Sequence, residues 1–250
     1  MKPSADHFST VAPAYASCRP GYPDQLFAYL AEITNRHELA WDCAAGNGQA
    51  TIPLARIFRR VVGTDISGPM LDRAPRDPKI QYRVAPAESS GLPPASTDLV
   101  TVAQALHWLE TASFYVEVDR VLAPGGVLAA WTYGMPYLDD LHLDQTLGHF
   151  YHDVVGPYWP ADRRHVESGY STLPFPYPEL RPPVFAMNQH WTLSEVLGYV
   201  GTWSATQFFR QALGRDPLLE LAEELGEHWG PPASERLIRW PLSLRVGRAS

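Results

Sequence analysis

The segment Trp41-Asp42-Cys43-Ala44-Ala45-Gly46-Asn47-Gly48-Gln49 holds the residue types of this chain best suited to chemistry. A short apolar run enters a G-x-G turn and an amphipathic run leaves it. Strand, glycine turn and helix in that order bring backbone N–H groups within reach of a ligand. Two acids frame the turn: Asp42 stands directly before it, and Asp65 ends the next apolar run, 17 residues past Gly48. A carboxylate at Asp42 repels a pyrophosphate and suits a ligand that is positively charged there, and Thr51 stands where a dinucleotide fingerprint has its third glycine. A carboxylate at the end of the second strand is placed to accept hydrogen bonds from both hydroxyls of a ribose. Capping of a turn would explain either acid alone. The pair around G-x-G at this spacing points instead to a ligand site at strand C-termini.

The elements that must position these acids alternate in type. Asp24–Ile33 places Leu26, Phe27, Leu30 and Ile33 at helical spacing behind Pro23. Strands are expected at Glu38–Cys43, Arg60–Asp65, Ile80–Val84, Thr97–Ala103 and Gly126–Tyr133, with helices at Gln49–Phe58, Met70–Ala74 and Ser113–Leu122. Apolar strands alternating with helices imply a parallel sheet covered on both faces. The rhythm breaks from Gly134 to Pro183, a stretch with eight aromatics, eight prolines and a net charge of −4. Aromatic richness marks it as a packed cap inserted in a single domain over 1–250, with a helix at Tyr137–Val155. Two further strands, Val184–Trp191 and Ile238–Val246, enclose helices at Leu193–Val200 and Pro217–His228.

Composition excludes several classes. A net charge of −7 without any Lys/Arg run argues against nucleic acid or an anionic membrane as the main partner. Two cysteines, Cys18 and Cys43, make neither a disulfide framework nor a metal-type spacing. With no membrane-length apolar stretch and no signal-like N-terminus, a soluble cytoplasmic protein is expected.

Taken together, these motifs resemble the class I S-adenosylmethionine-dependent methyltransferases. DCAAGNGQ is similar to their first motif, VVGTDIS to the second, TDLVTVAQALHW to the fourth, and RVLAPGGVLAAW to the turn that leads into their fifth strand. HFSTVAPAYASCRPGYP, APAESSGLP and QALHW resemble the type-11 small-molecule group that includes trans-aconitate methyltransferase-like proteins. The resemblance spans Phe8–Tyr133 and implies S-adenosylmethionine as cofactor and a small-molecule methyl acceptor. It implies that Asp42, Ala44, Gly46, Gly48 and Gln49 line the methionine end, with Asp42 near the amino group. Asp65 would hold the ribose, Ile66 would lie against the adenine with Ala87 and Glu88 at its edge, and Gln104 would close the pocket. Tyr15 and Arg19 would fold over the cofactor. Pro86 stands where many relatives carry an adenine-binding Asp.

For the transfer itself, His107 after the fourth strand is the candidate general base, with a supporting wall as its alternative role. Trp108 and Tyr133 are candidate acceptor contacts, and Arg163 and Arg210 are candidate grips for an anionic acceptor. Among the aromatics, Trp131 reads as core, and Tyr158, Trp159, Tyr170 and Trp203 as further wall candidates. His142, His149 and His152 with Asp139, Asp140 and Asp153 read as a solvated helix face, so no metal is expected.

The expected architecture is α/β: a Rossmann-like, seven-stranded, mostly parallel sheet with one antiparallel strand and a cap after strand five. The expected reaction is methyl transfer from S-adenosylmethionine to a small molecule, at a carboxylate or hydroxyl oxygen. Two rivals remain: a cofactor-binding homologue without transferase activity, and an NAD(P)-dependent oxidoreductase.

Overall fold

The computed structural model describes residues 20–249. Helix α1 (Asp24–Ile33) buries Leu26, Phe27 and Leu30, the stripe expected from their spacing. There follow β1 (Leu39–Cys43), α2 (Thr51–Ile57), β2 (Arg60–Asp65), the one-turn α3 (Gly68–Leu71), β3 (Ile80–Val84) and β4 (Thr97–Ala103). A 3-10 turn at Leu106–Trp108 leads to α4 (Thr111–Val121), whose first N–H groups are capped by the Glu110 carboxylate, and then to β5 (Leu122–Thr132). The five strands lie parallel in the order β3-β2-β1-β4-β5.

Beyond β5 come the two-residue β6 (Tyr137–Leu138), α5 (Leu141–His149), a π-helical turn at Phe150–Val154 and the short α6 (Arg163–Glu167). The Asp140 side chain accepts the His142 and Leu143 N–H groups and so starts α5, which makes the expected 137–155 helix shorter and broken. The sheet is completed by β7 (Phe185–Trp191) and β8 (Arg236–Arg248), with α7 (Leu193–Gly201), α8 (Ser204–Leu213) and α9 (Leu218–Trp229) between them. β8 runs antiparallel to β5 through Ser243–Arg248 and antiparallel to β7 through Arg236–Leu242. β6 adds an eighth strand to the expected seven, and α8 adds a helix. No helix among the described residues is long and apolar enough to cross a membrane.

Alternation along the strands divides the core by face. Ala40, Leu99, Val127, Ala129 and Trp131 pack with α1 and α2, whereas Trp41, Cys43, Val100, Val102, Leu128 and Ala130 pack with α4. Most aromatics expected at a pocket belong to the first of these cores instead. Trp203, for example, is buried against Tyr151 with centroids 5.4 Å apart and against Tyr199 at 5.7 Å.

Candidate functional site

The C-terminal ends of β1 to β5 open onto one cavity, with about 1140 Å³ of free space when the open solvent at its mouth is included. At the β3, β2 and β1 end its wall is small: Ala85 and Ala87 follow β3, and Ala44, Ala45 and Gly46 follow β1. Asp65, Ile66 and Ser67, which end or follow β2, line the same end. At the β4 and β5 end the wall is bulky, with Trp108, Leu109, Tyr133 and Tyr22. Small side chains at one end leave room for a ligand, and large rings at the other exclude water.

Asp65 is the carboxylate of the cavity. Its Oδ2 accepts the Gly46 N–H at 2.9 Å and its Oδ1 the Ser67 N–H at 2.8 Å, which ties the glycine turn to the end of β2. Burial raises the Asp65 carboxyl above its ordinary value, and these backbone N–H groups hold the rise back. Beside it Ile66 stands 57 % exposed, an apolar ledge on the cavity rim. Ala44, the first residue of the turn, holds φ +56, a left-handed conformation in which glycine is the ordinary occupant.

Asp42 corrects an expectation. Strand alternation puts it on the α1/α2 face, in register with Thr101 of β4, and its fully buried carboxylate is not part of the cavity surface. Its Oδ2 accepts the Thr51 hydroxyl at 2.5 Å and its Oδ1 the Thr101 hydroxyl at 2.8 Å. Burial pushes its carboxyl up to about 6 against the pull of these two hydroxyls, with Asp65 adding to the rise. Asp42 therefore braces the floor, joining β1 to β4 and to the first residue of α2. Gly48 is likewise beneath the surface rather than on it. It holds φ +83, and a Cβ there would stand 2.5 Å from the Tyr82 hydroxyl.

Of the remaining expected residues, Gln49, Ala87, Gln104, Trp108 and Tyr133 line the cavity, and Glu88 does not. His107 is buried behind Trp108, ring centroids 4.7 Å apart, and lies outside the lining. Burial, with Arg163 and His165 nearby, pushes its imidazole down to about 3, so the ring is neutral. Arg163 stacks over Trp159 at 4.4 Å and donates to the Tyr151 hydroxyl at 2.8 Å; Arg210 makes a paired bond to Asp216, 2.9 Å on each arm. Neither arginine lines the cavity, because each is spent within the helical region. Tyr15 and Arg19 lie outside the described residues.

Sequence reasoning passed over Tyr22, Ser67 and Met70, which also line the cavity. Met70 lies on α3 directly after the Asp65 motif, and its helical position was the available signal. Tyr22 left none, since its place depends on an edge contact with Trp131 at 5.3 Å, 109 residues away in sequence.

A family model for a methyltransferase domain matches residues 41–130, the stretch that builds all but one edge of this cavity. A protein of Dictyostelium discoideum named as a methyltransferase is 30% identical over 223 residues, covering 88% of this chain and 85% of the relative. The Saccharomyces cerevisiae protein CRG1, named as an S-adenosylmethionine-dependent methyltransferase, is 30% identical over 171 residues, 62% of this chain and 58% of its own length. A solved structure from Anaeromyxobacter dehalogenans, assigned by name as a type II methyltransferase, superposes with a TM-score of 0.87 at 44% identity, covering 92% of this chain and 97% of that one.

Proposed function

Since the chain belongs to the S-adenosylmethionine-dependent methyltransferases of the methyltransferase-domain family, we propose that its cavity carries a methyl group from S-adenosylmethionine to an oxygen of a small molecule. The observation that carries this reading is Asp65. Each of its oxygens takes one backbone N–H and keeps a lone pair for a ligand hydroxyl, the requirement of a ribose diol. The small wall of Ala44, Gly46 and Gln49 is the proposed methionine end, and Ile66 with Ala87 the proposed adenine shelf.

Bound at this site, the sulfonium supplies an electrophilic methyl carbon. The protein's share of the work is to hold the acceptor about 3–3.5 Å from that carbon in line with the departing sulfur and to exclude water. Tyr22, Trp108, Leu109 and Tyr133 do the excluding at the β4–β5 end, our proposed acceptor side. His107 acts there as a support for Trp108 rather than as a base, because a ring that resists protonation down to about 3 is a weak proton acceptor. An ionised carboxylate acceptor needs no base.

Calorimetric titration with S-adenosylmethionine, S-adenosylhomocysteine and NAD tests the cofactor assignment. Micromolar binding of the first two without NAD is expected, and binding of NAD alone overturns it. Labelled methyl transfer to a panel of phenols, aliphatic carboxylates and primary amines tests the acceptor class, with oxygen acceptors expected and amine products alone overturning it.

A further inference from the structure

The chain between β3 and β4 is irregular, yet Ala85 and Ala87 near its start line the cavity along with Ile66. Its hydrogen bonds show what fixes it in place. The Ala85 N–H donates to the Asp65 carbonyl at 3.0 Å, directly after the last residue pair of β2 and β3. The Ser89 N–H donates to the Pro86 carbonyl at 3.2 Å and closes a turn with Ala87 and Glu88 at its centre. Immediately after this turn, Ser90 meets a side chain of another element. Glu117 of α4 accepts the Ser90 N–H at 2.7 Å and the Ser90 hydroxyl at 2.5 Å, both on Oε1. The Ser90 oxygen in turn accepts the Leu92 N–H at 3.1 Å.

Glu117 is 6 % exposed, on a helix that also buries Phe114, Val118 and Val121. A carboxylate buried in such company is costly unless its oxygens are bonded. Arg120, one helical turn on, completes the set, with Nε on Oε2 and Nη2 on Oε1, each at 2.7 Å. Ser90 is itself buried, and Ala87 and Leu92 on either side of it pack into the same core as Val118. The turn is thus pinned at Ala85 to β2 and at Ser90 to α4, with Ala87 between the two pins. A bond from Arg83 Nη1 to the Gly91 carbonyl is exposed and longer, 3.4 Å. Pro86 has no side-chain donor or acceptor to offer a ligand, so this edge of the cavity contributes chiefly the place at which the turn stands.

We propose that Glu117, acting through Ser90, is a positioning residue that holds the 86–89 turn against the cavity and thereby sets the affinity for the cofactor. The effect on affinity rests on the reading of the β2–β3 end as the adenine shelf; the clasp between Glu117 and Ser90 does not.

The test compares the full-length wild type with Ser90→Ala, Glu117→Gln and, as a control that loosens α4 but spares the clasp, Val121→Ala. Hydrogen exchange of the free proteins, read by mass spectrometry on the peptide spanning 86–93, reports the clasp. Ser90→Ala and Glu117→Gln should exchange there about tenfold faster than the wild type, and Val121→Ala should not. Unchanged exchange in Ser90→Ala overturns the clasp. Should Glu117→Gln fail to fold, as judged by circular dichroism, Ser90→Ala decides, because it keeps the Glu117–Arg120 pair.

Calorimetric titration with S-adenosylhomocysteine reports the positioning. Ser90→Ala should raise Kd about fivefold, the scale of one hydrogen bond to a charged group, and Val121→Ala should leave it as in the wild type. With the panel acceptor that the wild type methylates best, Ser90→Ala should raise KM for S-adenosylmethionine by a like factor with kcat little changed. Faster exchange at an unchanged Kd keeps the clasp and overturns the positioning, as does an equal loss of affinity in Val121→Ala. Failure of the wild type to bind S-adenosylhomocysteine sinks the proposed function, while the exchange data still judge the clasp.

Discussion

Asp42 and Asp65 lie at the C-terminal ends of neighbouring parallel strands, yet their carboxylates work on opposite sides of the glycine turn. Asp42 faces inward between Thr51 and Thr101, and Asp65 opens on the cavity while holding Gly46 and Ser67. One is a brace and the other our proposed ligand contact, which sets different expectations for their removal.

Asp65→Ala should weaken binding of S-adenosylmethionine by about 1.5–3 kcal/mol, the scale of charge-assisted hydrogen bonds, or roughly one to two orders of magnitude in Kd. Calorimetric titration reads this directly, and unchanged affinity would remove Asp65 from the site.

Asp42 should instead be visible in stability against pH. Its carboxyl is pushed up to about 6 in the fold from an ordinary value near 3.8, so the folded state binds the proton more tightly than the unfolded chain. The fold should therefore lose stability as pH rises from about 4 to about 6, by a contribution on the order of 2–3 kcal/mol. Asp42→Asn should flatten that segment of the denaturation-midpoint profile, and a profile identical to wild type contradicts the assignment.

His107 should contribute a slope of the opposite sign. Its imidazole is pushed down to about 3 from 6.5, so the unfolded state takes up the proton first. Stability should fall as pH drops from 6.5 toward 3, and His107→Gln should relieve that fall. The same variant should keep the shape of the wild-type pH–rate profile, whereas loss of a general base would remove an inflection from it.

The left-handed Ala44 carries strain of about 1–2 kcal/mol, offset in a glycine variant by roughly 0.5–1 kcal/mol of extra unfolded-chain entropy. Ala44→Gly should thus raise the midpoint of thermal unfolding by about 1–3 °C, read by calorimetry. Gly48→Ala should do the opposite, since its Cβ would stand 2.5 Å from the Tyr82 hydroxyl. Tyr82→Phe should recover part of that loss in a double-mutant cycle.

The parallel half of the sheet was legible because each strand is a continuous apolar run with a turn residue at its end; β2, β3 and β4 fall at the expected residues. The burial of Asp42 was legible too, in period-two alternation and in Thr51, but the acid's neighbourhood to the glycine turn drew attention to the ligand instead. Other features depend on distance in sequence. The bond from His107 to Tyr170 spans 63 residues, and no local pattern announces it. Arg163 and Arg210 carried the right charge for an anionic ligand, yet Trp159 and Asp216 engage them first. The aromatic-rich composition suggested a lined pocket, and most of the rings serve the core beneath the helices.

The long β8 has a consequence for synthesis. Ser243–Arg248 is the only cover that the outer edge of β5 receives along Val127–Thr132 among the described residues. The chain must be made through 103 further residues after Thr132 before β8 begins at Arg236, about 5–20 s on a ribosome. Throughout that interval the nascent protein presents an unpaired, strongly apolar strand edge, Val-Leu-Ala-Ala-Trp, to whatever surrounds it. β8 is thus the element that ends this exposure of β5 to aggregation, and slow translation between β5 and β8 is where its yield is most vulnerable.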